Sequence, residues 1–327
     1  MKPASLNSIF STTKMKRRYE VWFLRFALAD GSGAWWLRYL LFNLGRSCFG
    51  GCGGDARGFP VQVWATWFPR GETPQHYLAG YSQSDLQMSG RFAAPLLLQI
   101  GEQQLEENAC RASIEVNNHR ISWDLRYRSS KSYSMSEKGW IGFTRTPHAD
   151  AVFSGRISLD GRSWEGDPLG FGLQGHNCGY RHRGFWSWAH ALLPGPSSGE
   201  FSSFESIEYD MPLGLRFRRA QLWHAGMLHD FRRMKTLERS VNPFRWATEW
   251  SRGQDGTTLT ARFDGSGISA HRLPYMKTDC SGTFDVMNNS LASAQITLKR
   301  PGEAAVELST DCGAVRKRWH GWLMSGA

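Results

Sequence analysis

The chain is built from short runs of bulky apolar residues punctuated by glycine, proline and paired asparagine. "YEVWFLRFAL" (19–28) and "WWLRYLLF" (35–42) are almost continuously aromatic or aliphatic and are joined by "ADGSGA", which predicts a strand, a turn and a strand. "VQVWATWF" (61–68) continues in the same style. In "ASIEVNNHRISWDLRY" (112–127), Ile121, Trp123, Leu125 and Tyr127 alternate with Ser122, Asp124 and Arg126. This period of two predicts a half-buried strand, paired through a turn at Asn117-Asn118. Asp160-Gly161 in "RISLDGRSW" predicts a second tight hairpin. Further strands are expected at 185–192, 204–209, 215–223, 258–263, 282–286, 293–299 and 304–308, and "RPGEA" turns the chain between the last two. Only "LHDFRRMKTLERSV" (228–241) has a helix-forming composition, and a helix is expected there.

So many short strands with regular turns predict a mainly β protein of sandwich or barrel type. "GDPLGFGLQG" and "PGPSSGE" punctuate the middle of the chain, which suggests two β-domains, assigned to 16–172 and 173–327. A length of 327 residues suits one large or two ordinary domains.

Composition sharpens this picture at three points. Fifteen tryptophans and nineteen phenylalanines supply enough rings to line an apolar cavity as well as fill a core. The formal charge of +10 favours anionic partners, but the basic runs at 14–18, 216–219, 232–233 and 316–318 come without zinc-finger spacing or an RNA-binding aromatic signature. Nucleic acid is therefore not an expected partner, while a basic surface suits peripheral contact with anionic membranes. The six cysteines include a CxxxC at Cys48 and Cys52 with no second pair to complete a zinc set. With no apolar leader and no membrane-length apolar run, a cytoplasmic, reduced protein is expected.

Candidate chemistry concentrates in "GFGLQGHNCGYRHRGFWSWAHALL" (170–193). Its three histidines, His176, His182 and His190, stand six and eight residues apart, too far along an extended chain to meet at one ion, and no metal is expected. The GxGxxG spacing at Gly170, Gly172 and Gly175 has no helix after it, so no nucleotide cofactor is expected either. An acid–base site fits better. His176 can exchange a proton near neutral pH, and Asn177 can orient a partner or donate to an oxygen. Downstream, "FESIEYD" places Glu205 and Tyr209 on one face of a strand and Glu208 and Asp210 on the other. A carboxylic acid facing an aromatic cavity has a raised pKa and can protonate a substrate.

Several phrases occur in a telling order. Glu20, Trp22, Phe23, Arg25 and Phe26 form an E-x-W-[YF]-x-R-F strand; Trp36, Arg38 and Tyr39 follow as W-x-R-Y. His176, Asn177 and Gly179 match H-N-W-G, Trp186 and Trp188 match W-x-W, and Asn288, Asn289, Ser290 and Ala292 match V-x-N-[NS]-S-x-A. Taken together they resemble the superfamily of tocopherol cyclases, carotenoid 1,2-hydratases and related lipocalin-like proteins. The resemblance implies two lipocalin-like antiparallel β-barrel or sandwich domains packed together, with a hydrophobic pocket at or near their interface and no metal or organic cofactor. It further implies a cyclase or hydratase acting on an isoprenoid- or polyene-like substrate, by acid catalysis or by folding the substrate in an aromatic pocket; the alternative is a non-catalytic binder or carrier of apolar small molecules. On this reading His176, Asn177 and Glu205 are the expected catalytic residues, and Cys178, Trp186, Trp188, Tyr209 and Trp223 are expected to touch the substrate. One position departs from the family: Cys178 stands where H-N-W-G has tryptophan, and a thiol offers no ring to a developing cation.

Overall fold

The computed structural model describes residues 6–14, 16–45, 48, 56–89, 95–137, 142–195, 200–240, 244–252, 255–267 and 269–318. Strand is the dominant element, and no α-helix occurs among the described residues. The first sheet is formed by β1 (Tyr19–Leu28), β2 (Gly33–Phe42), β3 (Val61–Pro69), β4 (Gln75–Tyr81), β5 (Leu86–Ser89), β6 (Leu97–Ile100), β7 (Gln103–Glu106), β8 (Ala109–Val116), β9 (His119–Arg128), β10 (Tyr133–Glu137), β11 (Gly142–Leu159) and β12 (Arg162–Gly179). The second is formed by β13 (Trp186–Pro194), β14 (Phe201–Asp210), β15 (Arg216–His224), β16 (Met227–Phe231), β17 (Arg233–Arg239), β18 (Arg245–Ser251), β19 (Thr258–Asp264), β20 (His271–Met276), β21 (Thr283–Lys299) and β22 (Val306–Arg318).

In the first sheet the strand order is β4-β3-β2-β1-β12-β11-β9-β8-β7-β6-β5, with β10 beside β11. Trp22, Val63 and Tyr77, from one end of this order, share a single apolar cluster with Leu98, Leu105 and Ile114 from the other. A flat sheet could not bring them together, so the sheet curls around its own core. The second sheet, ordered β16-β15-β14-β13-β22-β21-β19-β18-β17 with β20 beside β21, encloses a separate cluster that includes Phe204, Leu222, Trp246, Trp250 and Ile296. All assigned ladders are antiparallel, as in β1 with β12 and β13 with β14.

The expected hairpins form for the expected reasons. Asn117 and Asn118 have positive φ, as do Asp160 and Gly161, the geometry that a two-residue turn between twisted strands requires. At the β1–β12 ladder, a Cβ on Gly172 would run into the Arg25 carbonyl, so glycine lets two backbones approach here instead of cradling a phosphate. The stretch 228–241 corrects the sequence reading. Its described part is β16 and β17, because Leu222 pairs with His229 and Met234 pairs with Trp250, and ladder partners override helix propensity. The strands expected at 282–286 and 293–299 merge into one, β21, which begins at Thr283 and absorbs register shifts between Asn289 and Ala294.

By internal contacts the chain divides into two units. One comprises Met1–Arg70, Pro74–Arg181 and Met276–Gly282; the other comprises Gly71–Thr73, His182–Tyr275 and Thr283–Ala327. β12 runs unbroken through residues 172 and 173, and the first unit continues past it to Arg181. Within the first unit Cys48 is bonded to Cys280. This corrects the expectation of a reduced protein; Cys52, the other cysteine of the CxxxC, lies outside the described residues. The reason is topological, since Asn43, directly after β2, donates to the Thr278 carbonyl over 2.8 Å and so holds the two cysteine-bearing turns together.

Candidate functional site

The second sheet presents a buried polar array on the face opposite its apolar cluster. In β14, Phe204 faces the cluster, so alternation turns Ser203, Glu205, Ile207 and Tyr209 the other way. Register then fixes their neighbours. Glu205 lies between His190 of β13 and Gln221 of β15, and Tyr209 lies between Trp186 and Phe217. Trp188 lies between Ile207 and Arg316, and Arg316 lies beside Asn288.

The side chains join along these rows. The Trp188 indole N–H donates to Glu205 Oε1 over 2.7 Å. The Arg316 guanidinium lies 4.9 Å from a Trp188 ring centroid, within cation–π range, and its Nε donates to Asn288 Oδ1 over 3.0 Å. Glu205, His190 and Asn288 are each 0% exposed, and Gln221 is 3% exposed. Two polar atoms of this array, Gln221 Oε1 and Asn288 Nδ2, have no hydrogen-bond partner among the described residues. A buried acceptor and a buried donor without partners cost free energy unless something else satisfies them. The array therefore offers a buried carboxyl group, a cation held over an indole, and spare hydrogen-bonding capacity, all out of water.

Of the residues expected from sequence, Glu205, Trp186, Trp188, Tyr209 and Trp223 share this face, with Trp223 opposite Ser203. His176, Asn177 and Cys178 belong to β12 in the first unit. His176 is opposite Trp22 and stacks on its indole at 4.3 Å, with Phe143 edge-on at 4.7 Å. Its Nδ1 is 2.8 Å from the Leu6 carbonyl and its Nε2 is 2.9 Å from Glu20 Oε1. The carbonyl only accepts, so Nδ1 carries a hydrogen. Glu20 also accepts the backbone N–H groups of Phe10 and Ser11. His176 and Glu20 thus form a buried hydrogen-bonded pair that fastens residues 6–11 to the sheet.

Cys178, on the same face as His176, accepts from Arg18 Nη1 over 3.3 Å. Burial, followed by the Glu20 charge, pushes its thiol up to about 12, so it is not a reactive thiolate. Asn177 alternates to the opposite face, where it is partly buried. The three neighbouring residues therefore do not converge.

Sequence reasoning missed His190, Gln221, Asn288 and Arg316 as members of one array. His190 carried a usable signal, its spacing of two from Trp188. Arg316 carried none, because it sits in a basic run that reads as surface, and only the β13–β22 register buries it to 4% exposure.

These features define an all-β protein of two units, each a curled antiparallel sheet, with a buried polar array on one face of the second sheet. No family model matches the sequence, and no curated protein matches it. Solved structures do share the fold. CghA in complex with Sch210972 superposes with a TM-score of 0.61 over 92% of this chain and 88% of its own, at 11% identity. Another CghA structure gives 0.58 over the same shares at 10% identity. Kievitone hydratase from Nectria haematococca gives 0.53 over 97% of this chain and 95% of its own, at 10% identity. At such identities the likeness is one of fold.

Proposed function

We propose that this protein is an enzyme of the hydratase or cyclase type that works without an organic cofactor on a hydrophobic, isoprenoid- or polyene-like substrate. The observation that carries this reading is the Glu205 carboxyl, fully buried and held by the Trp188 indole beside groups with unused hydrogen-bonding capacity. The phrases shared with the lipocalin-like cyclases and hydratases support it, as does the fold shared with kievitone hydratase and with CghA, whose structure holds Sch210972.

Glu205 is the proton donor in this mechanism. Its proton adds to one carbon of a substrate alkene and leaves a cation at the other. Trp186 and Trp188 offer rings to that cation, an attraction of about 0.5–2 kcal/mol each. Water captures the cation in a hydration, or a hydroxyl group of the substrate does so in a cyclisation. In either case the proton released on capture returns to the carboxylate and closes the cycle. In this mechanism Gln221 and Asn288 orient the capturing oxygen.

The test uses acyclic polyenes and prenylated phenols in deuterated water, read by mass spectrometry. Hydration adds the elements of water with deuterium on carbon; cyclisation gives an isomer that has gained one carbon-bound deuterium. Glu205→Gln keeps size and loses the titrating proton, so turnover should fall by more than about a hundredfold in a folded protein. Full activity in folded Glu205→Gln would remove Glu205 from the mechanism, and binding of these compounds without any turnover by the unaltered protein would leave a carrier.

A further inference from the structure

The opposite face of the same sheet holds a second concentration of charge, at one end of the apolar cluster. Glu208 is 2% exposed there and receives three guanidinium groups. Arg216 Nη1 is 3.2 Å and Arg218 Nε 3.0 Å from its Oε1, and Arg239 donates to its Oε2. Lys317 joins them from β22, because Ser187 pairs in register with both Glu208 and Lys317. Lys317 is 3% exposed. The other acid on this face is Asp210, opposite Arg216. Four cations thus share this end of the sheet with two carboxylates.

Neutralising Glu208 needs one guanidinium. Drawing in three, with a lysine nearby, sets like charges against one another in a partly dehydrated place, which opposes folding. The strain registers on Lys317: burial, then Arg239 and Arg216, push its ammonium down to about 8 against the pull of Glu208. Arg239 Nε is itself buried and donates to no acceptor among the described residues. The cluster still meets water, since the Arg216 and Arg218 side chains are more than one-third exposed. Phe185 walls it, with the Arg216 and Arg239 guanidiniums 4.3 and 5.1 Å from its ring. Guanidinium forks of this kind match the geometry of carboxylate and phosphate oxygens.

We propose that the Arg216, Arg218, Arg239 and Lys317 cluster is a binding site for an oxyanion, the carboxylate or phosphate group of a small ligand. The site lies on the opposite face of β14 from Glu205 and does not depend on the reading of that residue. A cluster kept for a ligand shows a distinctive pair of effects: removing one of its cations weakens binding and stabilises the free protein.

Isothermal titration in low-salt buffer tests this with three probes: inorganic phosphate, octanoate and the neutral octanol. At least one of the two anions should bind once per chain and weaken as salt is added, octanol should not compete for it, and the anion that binds identifies the head group. Lys317→Met and Arg239→Gln should each weaken that binding at least about tenfold, and Lys317→Met should melt at a higher temperature than the unaltered protein without ligand. Glu205→Gln should bind the anion as before. Failure of both anions to bind, or equal affinity in both cluster variants, would overturn the proposal. Loss of anion binding in Glu205→Gln would overturn it too, by moving the anion to the other face.

Discussion

His176 and Lys317 are both buried basic residues, and their surroundings treat them in opposite ways. The His176 ring has a partner at each nitrogen, one of them a carboxylate with two further backbone donors. Truncating such a pair takes from Glu20 its imidazole partner. His176→Ala should therefore cost about 1–3 kcal/mol of stability, the range for leaving a buried polar group short of its hydrogen-bond partner. A shift of the urea midpoint at neutral pH measures it, and an unchanged midpoint would contradict the pairing. Lys317 instead lies in the field of Arg239 and Arg216, with Glu208 as the nearby acid, and its proton leaves at about 8 in place of its ordinary 10.5. Between those values the unfolded chain keeps a proton that the folded chain has lost. Stability from this group must then rise with pH from about 8 to 10.5 and be lost as pH falls back through 8. Melting temperatures across that range should show the rise, and Lys317→Met should flatten it.

At the scale of elements, β14 separates two chemistries by alternation alone. Glu205 and Glu208, three residues apart, point to opposite faces, one toward an indole donor and the other into arginines. Parity was legible in "FESIEYD" because alternation is local. The β1–β12 ladder shows a different constraint. Gly172 is placed where the β1 backbone passes too close for a methyl group, and the obstacle is a carbonyl that cannot swing aside. Gly172→Ala should cost about 1–3 kcal/mol, as overpacking does, and should speed amide exchange along Phe23–Phe26. Unaltered exchange there would mean that the ladder tolerates the methyl group. The segment 228–241 marks the limit of local reading, since its helix-forming side chains were outweighed by backbone partners in β15 and β18.

At the scale of the whole molecule, one covalent bond spans most of the chain. Cys48 and Cys280 are 232 residues apart, and their bond fastens Met276–Gly282 within the first unit. A cross-link over so long a span removes much of the freedom of the unfolded chain, and Cys280→Ser should cost about 2–5 kcal/mol. Alkylation of the unfolded, unreduced protein should leave Cys48 and Cys280 unlabelled; labelling of both would exclude the bond. No helix among the described residues is long and apolar enough to cross a membrane.

The sequence by itself determined what depends on near neighbours. Strand content, the hairpins at Asn117-Asn118 and Asp160-Gly161, and the face on which Glu205 lies all follow from period-two patterning and turn chemistry, which act over a few residues. Only the tertiary structure decided which strands lie side by side. His190, Gln221, Asn288 and Arg316 come from four strands spread over more than a hundred residues of chain, and no local pattern marks them as neighbours. The same holds for the partner of Cys48 and for the burial of Arg316 and Lys317 within a run that reads as solvent-facing. Hydrogen-bonded register sets these pairings, and register is a property of the closed ladder, where one residue of slip would carry every side chain to the other face.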